Sequence, residues 1–170
     1  EMLEQIAKSS DRLNQMINKM LDENALEEHH VMQERVYVTQ LLEDVVKRYL
    51  PLAADKKIQI KLSACDDQYI LTTDHLLLLQ VLENLVSNAV KFSPKGTVVS
   101  VEAQCTDSYA AFSVKDEGPG FTEDDKQLMF GRFQKLSAKP TGGESSTGLG
   151  LSIVKRYVGQ LNGELELLSS

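Results

Sequence analysis

Residues 74–92 read Asp-His-Leu-Leu-Leu-Leu-Gln-Val-Leu-Glu-Asn-Leu-Val-Ser-Asn-Ala-Val-Lys-Phe. The run holds no Gly or Pro, and its spacing predicts a helix that is apolar around most of its circumference and so is largely buried. Asn84, Asn88 and Lys91 interrupt the grease at i, i+4 and i+7. At helical pitch they fall within roughly 60° of one another. Two amides and an ammonium in line need partners or cost free energy. One reading is an ordinary solvated face. The other is a metal–phosphate site, because an Asn carbonyl is a hard oxygen ligand and a Lys one turn on meets a phosphate as a point charge.

Outward from this helix, three segments alternate with period two. Ile58, Ile60, Leu62 and Ala64 share one face of 58–64, and Val99, Val101, Ala103 and Cys105 share one face of 97–105. Ala110, Phe112, Val114 and Asp116 share one face of 109–116, joined to its predecessor by the hairpin-length Thr106-Asp107-Ser108. Clean alternation predicts a largely antiparallel sheet with one covered face. Tyr69 to Leu71 adds a further short strand, and Val36-Tyr37-Val38 another. Thr39 is placed to cap a helix running to about Lys56, with Leu42, Val45, Val46, Tyr49 and Leu50 on its inner face and a kink at Pro51. A last helix is expected from about Gly148 to Asn162, closing on Asn162-Gly163. The fold class is therefore α+β: a two-layer α/β sandwich whose mostly antiparallel sheet is covered on one face by helices. Residues 117–147 carry little regular pattern, and so long a loop in a compact domain is usually functional, often a lid. Within it, Thr122 and Asp125 have capping-box spacing for one short helix.

The first segment has a different character. Leu3, Ile6, Ser10, Leu13, Ile17, Met20 and Asn24 are spaced 3, 4, 3, 4, 3, 4, a heptad seam over residues 1–28. Such a helix needs a partner, and we expect a second copy rather than docking on its own domain. Residues 29–35 read as a linker, leaving 36–170 as the main domain.

With 170 residues and 42% hydrophobic content, the chain can bury a proper core. Its formal net charge of -7 speaks against non-specific nucleic-acid binding. Cys65 and Cys105 lack metal-ligand spacing and read as core residues of a reducing compartment rather than a disulfide. No signal peptide is visible, and no apolar run reaches the roughly 18 residues of a membrane span. A cytoplasmic location without membrane contact is expected, with an anchor elsewhere in a longer protein left open.

Two further stretches carry chemistry. Asp116 shares parity with Ala110, Phe112 and Val114, which points its carboxylate toward the covered face, where it needs a donor. The exocyclic amine of adenine, with a bound water, would be one; a plain turn after a strand is the blander reading. Asp116-Glu117-Gly118-Pro119-Gly120 then opens the long loop. Ser146-Thr147-Gly148-Leu149-Gly150-Leu151 sets two glycines at the start of the last helix, where free N–H groups suit phosphate. Tight helix packing is the alternative.

In this order, the asparagine helix, the D-x-G-x-G turn, Phe130-Gly131-Arg132-Phe133 and the terminal T-G-L-G-L resemble the four nucleotide-binding boxes of sensor histidine kinase catalytic domains, within the superfamily of gyrase-, Hsp90- and MutL-type ATPases. The resemblance covers about 36–168, and the preceding helix resembles the second helix of the dimerisation hairpin. It implies ATP and Mg²⁺ as cofactors, with a mobile ATP lid. By this likeness Asn88 is the main Mg²⁺ ligand, Asn84 its support, and Lys91 a phosphate contact. Phe92 packs on adenine, Asp116 reads its amine, and Gly118 and Gly120 shape its pocket. Arg132 and Lys135 reach phosphate from the lid, while Phe130 and Phe133 anchor it. Gly148 and Gly150, with Thr147 and Leu149 in the same turn, bring backbone N–H groups to the phosphates.

Hydrolytic relatives carry a Glu general base where Asn84 stands, and an amide cannot take that proton, so slow ATP hydrolysis is expected. The family's phosphoacceptor is a His followed by an acidic residue on the first hairpin helix. His29, His30 and His75 do not match it. No catalytic residue in the strict sense is therefore expected among these 170. The family also normally adds one more strand after a segment like 163–168. The implied function is to present the γ-phosphate of ATP to a phosphoacceptor His, for relay to the Asp of a response regulator receiver domain, as part of a homodimer. A non-catalytic nucleotide-sensing or scaffold module is the alternative.

Overall fold

The computed structural model describes residues 30–134, 136–144 and 146–168. The heptad seam of 1–28 lies outside them. The described elements are, in chain order, β1 (Glu34–Tyr37), α1 (Val38–Asp55), β2 (Gln59–Ser63), β3 (Ile70–Thr73), α2 (His75–Phe92), β4 (Val98–Cys105), β5 (Ala110–Lys115), α3 (Glu123–Leu128) and α4 (Gly150–Gln160).

β4 and β5 pair antiparallel, with Val101 opposite Val114 and Ala103 opposite Phe112. On its other edge β4 pairs in parallel with β2, Ile60 opposite Val99. β1 and β3 form a separate antiparallel pair, Val36 opposite Leu71. The single sheet expected from alternation is thus a three-stranded mixed sheet plus a two-stranded one. Alternation reports which face is covered, not which way the neighbour runs. The connection from β2 to β4 contains β3 and α2, long enough for a parallel crossover.

The main core packs α1 and α2 on the sheet. Val38, Leu42 and Val45 of α1, Leu82, Val86 and Val90 of α2, and Val99 and Val101 of β4 are fully enclosed. α1 departs from expectation at two residues. It starts at Val38 with no side-chain cap, and the Thr39 hydroxyl instead donates to the Cys65 carbonyl at 3.2 Å. Leu50, at the edge of the apolar stripe, stays 47% exposed. The helix runs through Pro51 and closes in a Schellman motif, with Lys57 N–H on Ala54 O and Ile58 N–H on Ala53 O. α4 closes the same way on Asn162 and Gly163, as the sequence suggested.

Asp74, fully buried, sets where α2 begins. Its carboxylate accepts from Leu77 N–H at 3.0 Å and from Met32 N–H at 2.8 Å. A second cluster joins Leu77 and Val81 of α2 to Leu149, Ile153, Val154 and Tyr157. α4 therefore packs chiefly along α2, rather than beside it on the sheet.

Cys65 and Cys105 form a disulfide, with Cα atoms 5.8 Å apart. This corrects the expectation of free thiols. The parallel register puts Ser63 opposite Glu102, which brings the following residues of both strands together across 40 positions of sequence.

Candidate functional site

The polar stripe of α2 has a structural cause. Leu77, Val81, Asn84, Asn88 and Lys91 lie on one side of the helix, and α4 covers that side from Leu77 to Asn88. The apolar half of the stripe meets the apolar half of α4, and the amide half meets its glycine start. A Cβ on Gly150 would stand 3.1 Å from Asn84 Oδ1 and 3.4 Å from Asn88 Nδ2. The Asn84 Nδ2 donates to Gln80 O at 2.8 Å, so its oxygen is the atom turned to Gly150. The stripe is thus not a solvated face: both amides are half-buried against the first turn of another helix.

The C-terminal end of α2 gathers the remaining pieces. A Cβ on Gly118 would come within 3.3 Å of the Phe92 carbonyl, so the D-x-G turn lies against the helix end. Asp116 follows the last residue of β5, is exposed, and accepts from Gly118 N–H at 2.7 Å. Strand parity had turned it toward the covered face. Asp116 lies one residue past the end of β5, and its carboxylate is open to solvent instead. Gly120 sits in the same turn with a φ of 72°.

The long loop returns to α2 as well. Thr141 N–H donates to Lys91 O at 3.0 Å, and its hydroxyl to Ser93 O at 2.5 Å. Further back, Thr122 and Asp125 form the expected capping box at the start of α3. Asp125 also accepts from the backbone N–H of Ser137 at 2.8 Å and from its hydroxyl, binding the two arms of the loop. The Ser137 hydroxyl, then its N–H, hold this carboxyl down to about 2. Gly148, at a φ of 72°, lets the T-G-L-G-L turn approach the Gln134 carbonyl so closely that a Cβ would sit 2.6 Å from it.

The other sequence candidates are distributed as follows. Lys91 and Phe92 are half-buried at the end of α2, and burial lowers the Lys91 pKa while Glu144 opposes the shift. Thr147 is half-buried, and the Leu149 side chain is fully enclosed in the α2–α4 core, so that turn has only backbone to offer at 149. Arg132 is exposed in the loop. Lys135 lies outside the described residues. Phe130 is half-buried with Lys155 Nζ 5.1 Å from its ring centre, and Phe133 is 43% exposed. His75 is exposed at the start of α2.

Sequence reasoning missed Lys56 and Glu144. Lys56 is 3% exposed, and its ammonium donates to Val90 O at 2.5 Å and Lys91 O at 2.9 Å. Glu144 Oε1 stands 3.4 Å from it. A lysine just after an amphipathic helix looks like surface, and nothing local distinguishes this one.

The site thus gathers an amide-bearing helix, the D-x-G turn at its end, the T-G-L-G-L turn along its side and a loop bonded to its last residues. The model of histidine kinase-, DNA gyrase B- and HSP90-like ATPases matches residues 73–170, and the chain belongs to that family. Similar proteins include the sensor protein GacS of Pseudomonas syringae pv. syringae, 36% identical over 94% of this chain. SenX3, a sensor-like histidine kinase of Mycolicibacterium smegmatis, is 33% identical over 98% of it. The chain spans 18% of the former's length and 44% of the latter's. Among solved structures, full-length ShkA in complex with AMPPNP is 30% identical, with a TM-score of 0.75 over 91% of this chain and 32% of that one. No described helix is long and apolar enough to cross a membrane.

Proposed function

We propose that this chain is the ATP-holding part of a sensor histidine kinase, which presents the γ-phosphate to a phosphoacceptor His carried outside these 170 residues. What supports the reading is the approach of Gly150 to Asn84 and Asn88: a helix start, of the kind that suits phosphate, lies beside two amides of the kind that can serve a hard metal ion. The residues fit Mg²⁺. Asn side-chain oxygens are hard donors of the kind Mg²⁺ takes beside substrate phosphates, and Asn84 Oδ1 is turned to the start of α4. Bound there, the ion would neutralise phosphate charge. Asn88 would be its main ligand, supported by Asn84.

Lys91 meets the phosphates, Phe92 packs on adenine, and Asp116 accepts from its amine at the open end of β5. Gly118 and Gly120 leave room for the base. Arg132 and Lys135 reach the phosphates from the lid, and the 147–150 turn offers backbone N–H groups. An amide at Asn84 leaves water without a general base there, so hydrolysis is slow. Residues 1–28 pair with a second copy, and the phosphoryl group passes to a response regulator Asp. ShkA, similar over most of this chain, holds AMPPNP in its structure.

Incubating the full-length protein with γ-labelled ATP tests this. Acid-labile, base-stable label that Asn88→Ala abolishes is expected, with little free phosphate. ATP binding without any phosphohistidine would instead favour a nucleotide-sensing scaffold, and rapid hydrolysis a gyrase-like ATPase.

A further inference from the structure

Lys56 belongs to no nucleotide box, yet it is among the most deeply buried polar residues described, at 3% exposure. A lysine is rarely enclosed unless its charge is matched. Its position follows α1 directly, and its side chain crosses to the end of α2. There it meets two carbonyls of the last turn, Val90 O and Lys91 O, where the helix dipole favours a cation. Its third neighbour is Glu144 of the lid, at 3.4 Å. Glu144 Oε2 in turn accepts from Gly142 N–H at 2.8 Å. One residue before Gly142, Thr141 is bonded to Lys91 O and Ser93 O. The lid arm from Thr141 to Glu144 is therefore fastened at both ends to the helix end that carries Lys91 and Phe92.

We propose that Lys56 is a positioning residue for the phosphate end of the nucleotide: through the carbonyls of Val90 and Lys91 and the carboxylate of Glu144, it holds the last turn of α2 and the lid arm in register. The inference rests on Lys91 facing phosphate, as proposed above. Lys56 itself touches no substrate; with its ammonium bonded to both carbonyls, it acts by fixing the backbone from which Lys91 projects. The adenine end draws on Asp116 and the D-x-G turn after β5 as well as on Phe92, so it depends on Lys56 less than the phosphate end does.

The test compares ATP, with Mg²⁺, against adenosine, which lacks the phosphates, by calorimetry on wild type, Lys56→Met and Glu144→Gln. Lys56→Met loses charge-assisted hydrogen bonds, so ATP should weaken about tenfold while adenosine stays within about twofold. Glu144→Gln keeps the carbonyl contacts and should weaken ATP by less, again sparing adenosine. Equal weakening of both ligands, or of neither, overturns the proposal, because a purely structural lysine would not discriminate between them. Tighter ATP binding by Glu144→Gln also overturns it, since the carboxylate would then be competing with phosphate. Should Lys56→Met fail to fold, Glu144→Gln decides alone by the same criteria. A wild-type chain that binds neither ligand would refute the nucleotide site itself, a separate outcome.

Discussion

Replacing Gly148 by Ala adds a methyl group where the T-G-L-G-L turn lies close against the backbone of Phe133 and Gln134. The new Cβ would stand 2.6 Å from Gln134 O and 2.9 Å from Phe133 C, both backbone atoms that cannot rotate away. Leu149 next to it is fully buried, so relief has to come from the lid. Gly143 supplies the control. Its φ of 80° resembles the 72° of Gly148, but nothing lies within 4 Å of its Cβ position. Gly143→Ala should therefore cost only the left-handed backbone term, about 1 kcal/mol. Gly148→Ala adds an overpacking term of about 1–3 kcal/mol. If the lid opens to relieve the clash, that second term reduces the closed population rather than global stability. Urea melts report the first effect, and proteolysis within 117–147 together with Mg·ATP calorimetry reports the second. Gly148→Ala should be cleaved faster and bind ATP more weakly than Gly143→Ala. Indistinguishable behaviour of the two variants would refute the packing of the lid on this turn.

The Asp125 carboxyl is held at about 2, below its ordinary 3.8, by Ser137 and Thr122. Its stabilising contribution is complete above the unfolded value and fades as pH falls through the folded one. The gap in melting temperature between wild type and Asp125→Asn should be constant from pH 7 to 5 and shrink from pH 4 to 2; a gap that persists unchanged at pH 2 would contradict the assignment. The Cys65–Cys105 disulfide closes a loop across 40 residues, so reduction or Cys105→Ser should cost about 2–4 kcal/mol in urea melts. Identical melts with and without reductant would show the link to be absent in solution.

Local pattern made much of this legible. The apolar run of 74–92 gives α2 within a residue of its bounds, the period-two stretches give β4 and β5, and Thr122 with Asp125 gives the cap of α3. What stayed hidden depends on partners distant in sequence. The parallel pairing of β2 with β4 and the disulfide that follows from it are invisible to alternation. Thr39 has the right chemistry for a cap, but its hydroxyl is drawn to Cys65 O across 26 residues. The stripe of Asn84, Asn88 and Lys91 was readable as special, but its reason, the glycine start of α4 lying against it, was not. Asp116 was correctly placed at a strand end, yet parity cannot tell an open space from a filled one. Lys56 and Glu144 lie 88 positions apart in sequence (144 − 56), and only the fold makes them neighbours.

The end of β5 and the end of α2 together form one adenine-selective pocket if Asp116 accepts from the base. Calorimetry with Mg·ATP and Mg·GTP on wild type and Asp116→Asn tests that directly. Loss of the carboxylate acceptor should weaken ATP about tenfold or more and erase the preference over GTP, with the melting temperature little changed because Asp116 is exposed. ATP affinity equal to wild type in Asp116→Asn would contradict the pocket as assigned.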